Sequence, residues 1–473
     1  VEKIFCAGTI PTGTYNQEDI VAKWFEDAFF YHIYPLGFCG APQDNDFSSA
    51  PVDRLDKVSA WMDHIQSLGA NALYLGPLFE SSRHGYDTAD YYHVDRRLGG
   101  DPALERLSAD LRRRGVRLVL DGVFNHVGRD FWAFRDVIQR GEQSPYRDWF
   151  QNLNFNGRSP YNDPFTYEGW AGHASLVKLN LNHPDVKGHL FQAVASWVER
   201  FDIAGLRLDA ADVIDFNFLS ELVHFCRGLK PDFYLFGEVV HGDYRRWANP
   251  DRLDATTNYE VYKSLYSSHV DGNYFEIAYA LNRQFGPQGM YSGLPLYNFA
   301  DNHDVNRVAS NLKNSGELYP LYCLMFTMPG VPSIYYGSEW GITGTRTRES
   351  DRDLRPCLDL SAAAAGPNRD LAGVIARLAG IRRDCPALRC GNYTSLLVAA
   401  RQYAFARQAQ GEAIVTAVNS APAEAQIELS LPVGQGRLVD LLNPGESFPI
   451  VDGKSRLTLH ACWGRILRIE SGY

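Results

Sequence analysis

The feature that most constrains this chain is a recurring unit: an amphipathic stretch closes on glycine, and a short, almost wholly apolar run follows. Helix-spaced apolar residues over 55–68 end at Gly69, and the run 72–77 comes next. A second such stretch over 104–114 ends at Gly115 and leads into 117–121. Behind Pro184, a third places Val186, Leu190, Val194, Trp197 and Phe201 at helical spacing before the run 203–208. Helix 218–229 precedes 233–238; the remaining strand candidates are 29–35, 255–259, 296–300 and 331–336. Strands apolar on both faces are parallel strands covered by helices. Eight of them, with no Gly-rich dinucleotide fingerprint after the first, predict an α/β chain folded as a (β/α)8 TIM barrel rather than a doubly wound sheet.

Two departures from the repeat define the domain plan. The connection after the third strand is far longer than the usual ~4–6 residues, so 127–182 is expected to be an inserted subdomain. Beyond about residue 386 the periodicity becomes two, with Ile427/Leu429/Leu431 and Leu457/Leu459/Ala461 marking strands. The expected plan is a lead-in (1–23), a barrel (24–385) carrying the insertion, and a C-terminal antiparallel β-sandwich (386–473).

Composition narrows the partners. A formal net charge of −10 and the lack of a basic stripe argue against nucleic acid, and no apolar run is long enough to span a bilayer. The eight cysteines lack metal-type spacing; Cys226 and Cys323 sit in apolar helical patterns and read as buried thiols. With no signal peptide visible, the expected location is the cytoplasm. Abundant Tyr, Phe and Trp suit sugar stacking, but large cores use them too.

A parallel barrel gathers its strand ends on one rim. Here those ends carry His84-Gly85-Tyr86-Asp87, Asp121 with Asn125-His126, Arg207 with Asp209, Glu238, and Asn302-His303-Asp304. Arg207 and Asp209 are two apart on a strand and share a face. That pair alone reads as a structural ion pair. Several rim segments of like charge are costly to keep without a purpose. No HExxH motif favours a metallohydrolase and no G-x-S-x-G elbow favours a serine nucleophile. Glycoside hydrolysis needs an ionised carboxylate beside an acid of raised pKa. Asp209 has a cation beside it, and Glu238 follows an apolar run expected to raise its pKa.

The segments Asp121-Gly122-Val123-Phe124-Asn125-His126, Gly205-Leu206-Arg207-Leu208-Asp209, Phe236-Gly237-Glu238 and Phe299-Ala300-Asp301-Asn302-His303-Asp304 resemble, in order, the four signature segments of the α-amylase family, glycoside hydrolase family 13. The resemblance spans about residues 24–473. It implies Asp209 as nucleophile, Glu238 as general acid/base and Asp304 as the third carboxylate, gripping sugar hydroxyls. Arg207 would orient Asp209; His126 and His303 would bond the sugar being cleaved, with Tyr86 as its platform and Asp121 in support. It further implies retention through a covalent glycosyl-enzyme, with the two carboxyl groups roughly 5 Å apart.

Leu176-Val177-Lys178-Leu179-Asn180 and Tyr167-Glu168-Gly169-Trp170 resemble the neopullulanase, cyclomaltodextrinase and maltogenic amylase group. That group acts on small linear or cyclic maltooligosaccharides at α-1,4 and, in several members, α-1,6 bonds. Because the barrel begins within about thirty residues, no large N-terminal domain of that group is expected, and the chain carries Val240 where a Trp commonly stands in it. Asp353 and Arg355 resemble a stretch that reaches outer sugar subsites. Some members bind calcium partly through the residue matching Asn125; here a hydrogen-bonding loop residue is the preferred reading, and no cofactor is expected to be required. The expected partner is a small glucan, with the oligomeric state open. A transglycosylase or trehalose-synthase-type isomerase on the same triad, and a non-catalytic carbohydrate-binding relative, stand as alternatives.

Overall fold

The structure is a computed structural model, and it describes residues 23–348 and 350–471. The expected lead-in, apart from residue 23, lies outside them, as does Cys6. The barrel strands, with a two-stranded ribbon among them, are β1 (Phe30–Ile33), β2 (Ala72–Leu75), β3 (Arg117–Gly122), β4 (His126–Gly128), β5 (Leu176–Lys178), β6 (Gly205–Leu208), β7 (Tyr234–Gly237), β8 (Ala255–Thr256), β9 (Tyr297–Phe299) and β10 (Val331–Tyr335). Eight of these form one parallel sheet in the order β8-β7-β6-β3-β2-β1-β10-β9, while β4 and β5 pair antiparallel in the long third connection. A parallel bridge between Thr257 and Tyr297, with Asn258 N–H donating to Tyr297 O at 2.9 Å, joins the two edges and closes the barrel.

The predicted eight-stranded barrel is therefore present, with one local difference. The expected strand 255–259 is only two residues long, because Asn258 caps a helix (Tyr259–Val270), its Oδ1 accepting Val261 N–H at 3.3 Å. Helices Asp56–Ser67 and Gly100–Arg113 stop where expected, at Gly69 and Gly115; φ values of +90° and +69° there suit glycine and turn the chain into β2 and β3.

Two apolar regions hold the barrel. Inside it, Phe30, Tyr74, Tyr234, Phe236, Tyr297 and Phe299 fill the lumen, with Phe236 stacked on Tyr297 at 4.5 Å between centroids. Phe25, on the turn Trp24–Asp27, stacks on Tyr234 at 4.3 Å and plugs the N-terminal end. Each such ring contributes roughly 1.5–3 kcal/mol by leaving water. Outside, the helices bury their apolar faces against the strands, Cys226 and Cys323 among them as buried free thiols. With both faces and one end filled, the open rim is left for polar chemistry.

The C-terminal domain is an eight-stranded antiparallel sheet, from Asn392–Val398 to Trp463–Ser471, folded so that its end strands approach each other around Val415, Leu429, Leu438 and Leu457. Ile427 and Leu429 pair opposite Leu457 and Ser455, as the alternation implied. Two buried arginines fasten it to the barrel: Arg382 donates to Gly330 O at 2.6 Å, Arg407 to Thr327 O at 2.8 Å, and both donate to Leu388 O. Among the described residues no helix is long and apolar enough to cross a membrane.

Candidate active site

β3, β6 and β7 are adjacent, and the register sets Asp121 opposite Arg207, and Arg207 opposite Phe236. Side-chain alternation then points Asp121, Arg207, Asp209 and Glu238 into the same rim. Arg207 is 3% exposed and is shared by three carboxylates. Its Nη1 lies 2.9 Å from Asp121 Oδ1 and 2.9 Å from Asp209 Oδ1, and its Nη2 lies 2.7 Å from Glu238 Oε2. The sequence reading gave this cation to Asp209 with Asp121 in support; the structure adds Glu238 at its other tip.

Each carboxylate has further fixing contacts. Tyr74 donates to Asp121 Oδ2 at 2.9 Å. Ala210, turned to φ +46° directly after Asp209, aims its N–H at Glu238 Oε2, 3.2 Å away. A side chain in this left-handed region is strained, and strain of that kind gathers at functional sites. Tyr259 donates to Glu238 Oε1 at 3.2 Å and itself accepts from Asn302 at 3.2 Å. Neither contact was foreseen, since Tyr259 opens a helix that the sequence reading took for a strand end.

Burial raises the Asp209 carboxyl well above the usual carboxylate range; Arg207 opposes this, and Glu238, Asp121 and Asp304 reinforce it. Asp304 goes the other way. Burial would raise it, but His303, then Arg355 and Arg207, hold it well below that range. His303 Nε2 stands 3.0 Å from Asp304 Oδ2, and Arg355 Nη2 stands 3.0 Å from its Oδ1. The Tyr86 ring stacks on His303 at 5.6 Å, and its hydroxyl bonds the same imidazole.

Two histidines present open valences. Burial lowers His126 to about 4, so it is neutral at ordinary pH. Asn125 Nδ2 lies 3.2 Å from its Nδ1, which leaves the proton on Nε2. That Nε2 is buried, has no hydrogen-bond partner and lies 4.0 Å from Asp209 Oδ2. His303 Nδ1 is likewise buried without a partner. An unmade hydrogen bond of this kind costs about 1–3 kcal/mol, and a bound hydroxyl would satisfy it.

Tyr86, His126, Asp209, Glu238, Tyr259 and Asp304 line an 870 Å³ cavity that also takes in Trp170, stacked on His126 at 5.3 Å, Tyr34, Val240 and Arg355, while Asp121, Arg207 and His303 stand behind its wall. Asp353 is outside it. The carboxylate that accompanies Arg355 is Asp351, at 2.7 Å. The turn Arg352–Leu354 buries Leu354 and so carries Asp353 to the exposed side. Asn125 is buried against His126, and among the described residues no group of three or more His, Cys, Asp or Glu could hold a metal ion.

A closed parallel barrel, a carboxylate cluster at its C-terminal rim and two histidines with open valences together define a glycoside hydrolase. The sequence matches the family described as "Alpha amylase, catalytic domain" over residues 32–372, and the chain belongs to that family. It is 31% identical to a cyclomaltodextrinase of a Bacillus species over 416 residues, covering 84% of this chain and 73% of that protein. It is 31% identical to neopullulanase 2 of Thermoactinomyces vulgaris, covering 94% of this chain and 78% of that one. The solved structure of the cyclic α-maltosyl-(1→6)-maltose hydrolase of Arthrobacter globiformis superposes with a TM-score of 0.79 at 28% identity, covering 95% of this chain and 99% of that one.

Proposed function

We propose that the protein hydrolyses α-glucosidic bonds in small linear or cyclic maltooligosaccharides with retention of configuration, using Asp209 as nucleophile and Glu238 as general acid/base. The observation that carries this reading is the single Arg207 guanidinium holding Asp209 and Glu238 on its two tips. Carboxylates tied to one guanidinium fit the ~5–5.5 Å separation of retaining enzymes better than the ~6.5–9.5 Å that admits a water between them.

In this reading Glu238 protonates the glycosidic oxygen while Asp209 attacks C1 through Oδ2, the oxygen not engaged by Arg207. The leaving sugar departs protonated, and a glycosyl ester to Asp209 forms. Glu238, now ionised, takes a proton from water, which attacks C1 and releases Asp209. Burial raises the Asp209 carboxyl and Arg207 opposes that rise, so the guanidinium is what favours the ionised form the attack requires. Asp304 and the open nitrogen of His126 grip hydroxyls of the reacting sugar, and His303, through Nε2, holds Asp304 and Tyr86 in place.

The names of the relatives favour small and cyclic glucans, with α-1,6 as well as α-1,4 bonds. Its free thiols fit a reducing compartment, and we assign the protein to the cytoplasm. The deciding experiment is chromatography of products from maltotetraose, a cyclodextrin, pullulan, a branched cyclic glucotetraose and soluble starch, with Asp209→Asn as blank. Rapid cleavage of small or cyclic substrates, with starch nearly intact, is expected. Preferential starch breakdown would make it an ordinary α-amylase, products longer than the substrate a transferase, and no turnover a binding relative.

A further inference from the structure

Arg307, three residues on from Asp304, is a cation that the chemistry above does not use. It is 0% exposed, and a guanidinium so buried is costly to hold unless its donors are met. Both of its tips end on main-chain carbonyls: Nη1 donates to Tyr336 O at 2.8 Å and Nη2 to Leu354 O at 2.9 Å. The Tyr335 ring lies beneath it, 4.0 Å away at the centroid. Asp301 reaches it through Ser338, whose Oγ accepts from Nη1 at 3.2 Å and donates to Asp301 Oδ1 at 2.7 Å.

The second of these carbonyls belongs to the peptide that joins Leu354 to Arg355. Tyr335 donates to the same oxygen at 3.1 Å, and the N–H across that planar peptide donates to Arg352 O at 2.9 Å. The plane from which the Arg355 side chain departs is thus pinned at both ends. The backbone on either side is pinned as well. A Cβ on Gly344 would lie 2.2 Å from Asp353 O, and one on Gly37 would lie 2.2 Å from Arg355 O, so only glycine admits the segment at this distance. From that plane Arg355 places Nη2 3.0 Å from Asp304 Oδ1 and 2.7 Å from Asp351 Oδ2, with Nε donating to His303 O at 3.0 Å.

We infer that Arg307 is a positioning residue for the hydrolysis: together with Tyr335 it latches the Leu354 carbonyl, and the latch sets Arg355 on Asp304. This rests on the hydrolase reading above, in which Asp304 grips the reacting sugar, and adds to it the buried cation on which that grip depends. The two arginines divide the work. Arg355 lines the cavity and brings its charge to Asp304, whereas Arg307 is enclosed by protein and acts only through the backbone. A lysine at 307 would keep the charge but replace two separated donor tips by one point. Loss of the latch would let the Arg355 peptide rotate, and the guanidinium would drift from the carboxylate it holds ionised.

The test is the pH profile of kcat/KM, with KM, on maltotriose for Arg307→Lys, Tyr335→Phe, Arg355→Met and the two double variants with Arg355→Met. Neither Arg307→Lys nor Tyr335→Phe changes a formal charge, so a shifted profile reports geometry. The groups that face Asp304, namely His303, Arg355, Arg207, His32 and Asp209, are all retained in both. KM is expected to rise about threefold in Tyr335→Phe and about fivefold in Arg307→Lys, and the acid limb to move to higher pH in each. In the Arg355→Met background either change is expected to add less than about twofold, because the latch has nothing left to place. Should Arg307→Lys melt early, Tyr335→Phe, which loses one hydroxyl and keeps the ring, carries the test. Effects that multiply in the double variants, or an acid limb unmoved in Tyr335→Phe, would overturn the latch and leave the hydrolase reading standing. No cleavage of maltotriose by the unmodified protein would overturn both.

Discussion

Arg207 Nη2 lies 2.7 Å from Glu238 Oε2 while Nη1 of the same guanidinium engages Asp209 and Asp121. A planar fork can serve three carboxylates at fixed angles, whereas an ammonium is a point charge on a flexible stem. Arg207→Lys is therefore expected to lower kcat/KM on maltotriose by about 10²–10³-fold, or ~2.7–4 kcal/mol of transition-state stabilisation. Steady-state kinetics beside a circular-dichroism melt would check this; near-normal kinetics would show that charge alone suffices.

Asp209→Asn should separate activity from stability. Burial raises the Asp209 carboxyl in the folded state above its unfolded value near 3.9. The folded protein then binds this proton more tightly than the unfolded chain, so the group's contribution falls as pH rises from about 4 to the folded-state pKa, and is constant above it. Asparagine removes that fall. Activity should drop on the order of 10⁴-fold or more, while Tm at pH 7 should match or exceed the parent by about 1–3 °C. Calorimetry at pH 4 and pH 7 would show the difference shrinking at the lower pH; a lower Tm at pH 7 would contradict it.

His126 has the opposite sign. Its pKa is lowered by burial to about 4, so the folded state resists protonation and stability rises with pH between about 4 and 6.5. It is already neutral through the range in which such an enzyme works. His126→Ala is expected to lower kcat/KM by about 5–150-fold, from one lost hydrogen bond to the sugar, with the shape of the pH profile between 5 and 7 unchanged. A profile that moves would assign His126 a titrating role instead.

Removal of Arg355 should shift a pH profile. Asp304 is depressed against burial by His303, then Arg355 and Arg207. A depressed carboxyl stabilises the fold above its unfolded value and loses that contribution as pH falls through the folded one. In Arg355→Met the Asp304 carboxyl moves up, so the acid limb of kcat/KM should move to higher pH and KM should rise about tenfold. An unmoved acid limb would show that His303 and Arg207 suffice to hold Asp304 ionised.

Much of this site was legible in the sequence because it is local. Arg207 and Asp209 share a face by strand alternation, and His303 and Asp304 adjoin in the chain. The eight strands were equally plain, because burial on both faces leaves them almost without polar residues. What escaped depends on distant segments meeting. Tyr259 reaches Glu238 only because β8 stops after two residues and a helix begins, and Asn302 joins them from the next strand end. Asp351 rather than Asp353 accompanies Arg355 because a tight turn, which no periodicity marks, buries Leu354 between them.

The shortness of β8 has a thermal consequence. The join between β8 and β9 rests on the Thr257–Tyr297 bridge and on a buried amide knot, in which Asn258 Nδ2 donates to Gln284 Oε1 at 3.0 Å and to Asn298 Oδ1 at 2.9 Å. The next residue along is Tyr259, which holds Glu238. This seam is the thinnest stretch of the wall, so its amide protons should exchange ahead of those in β1, β2 and β3. On warming, the acid should lose its alignment as the seam loosens, so that turnover, followed beside a circular-dichroism melt, should fail before the barrel unfolds.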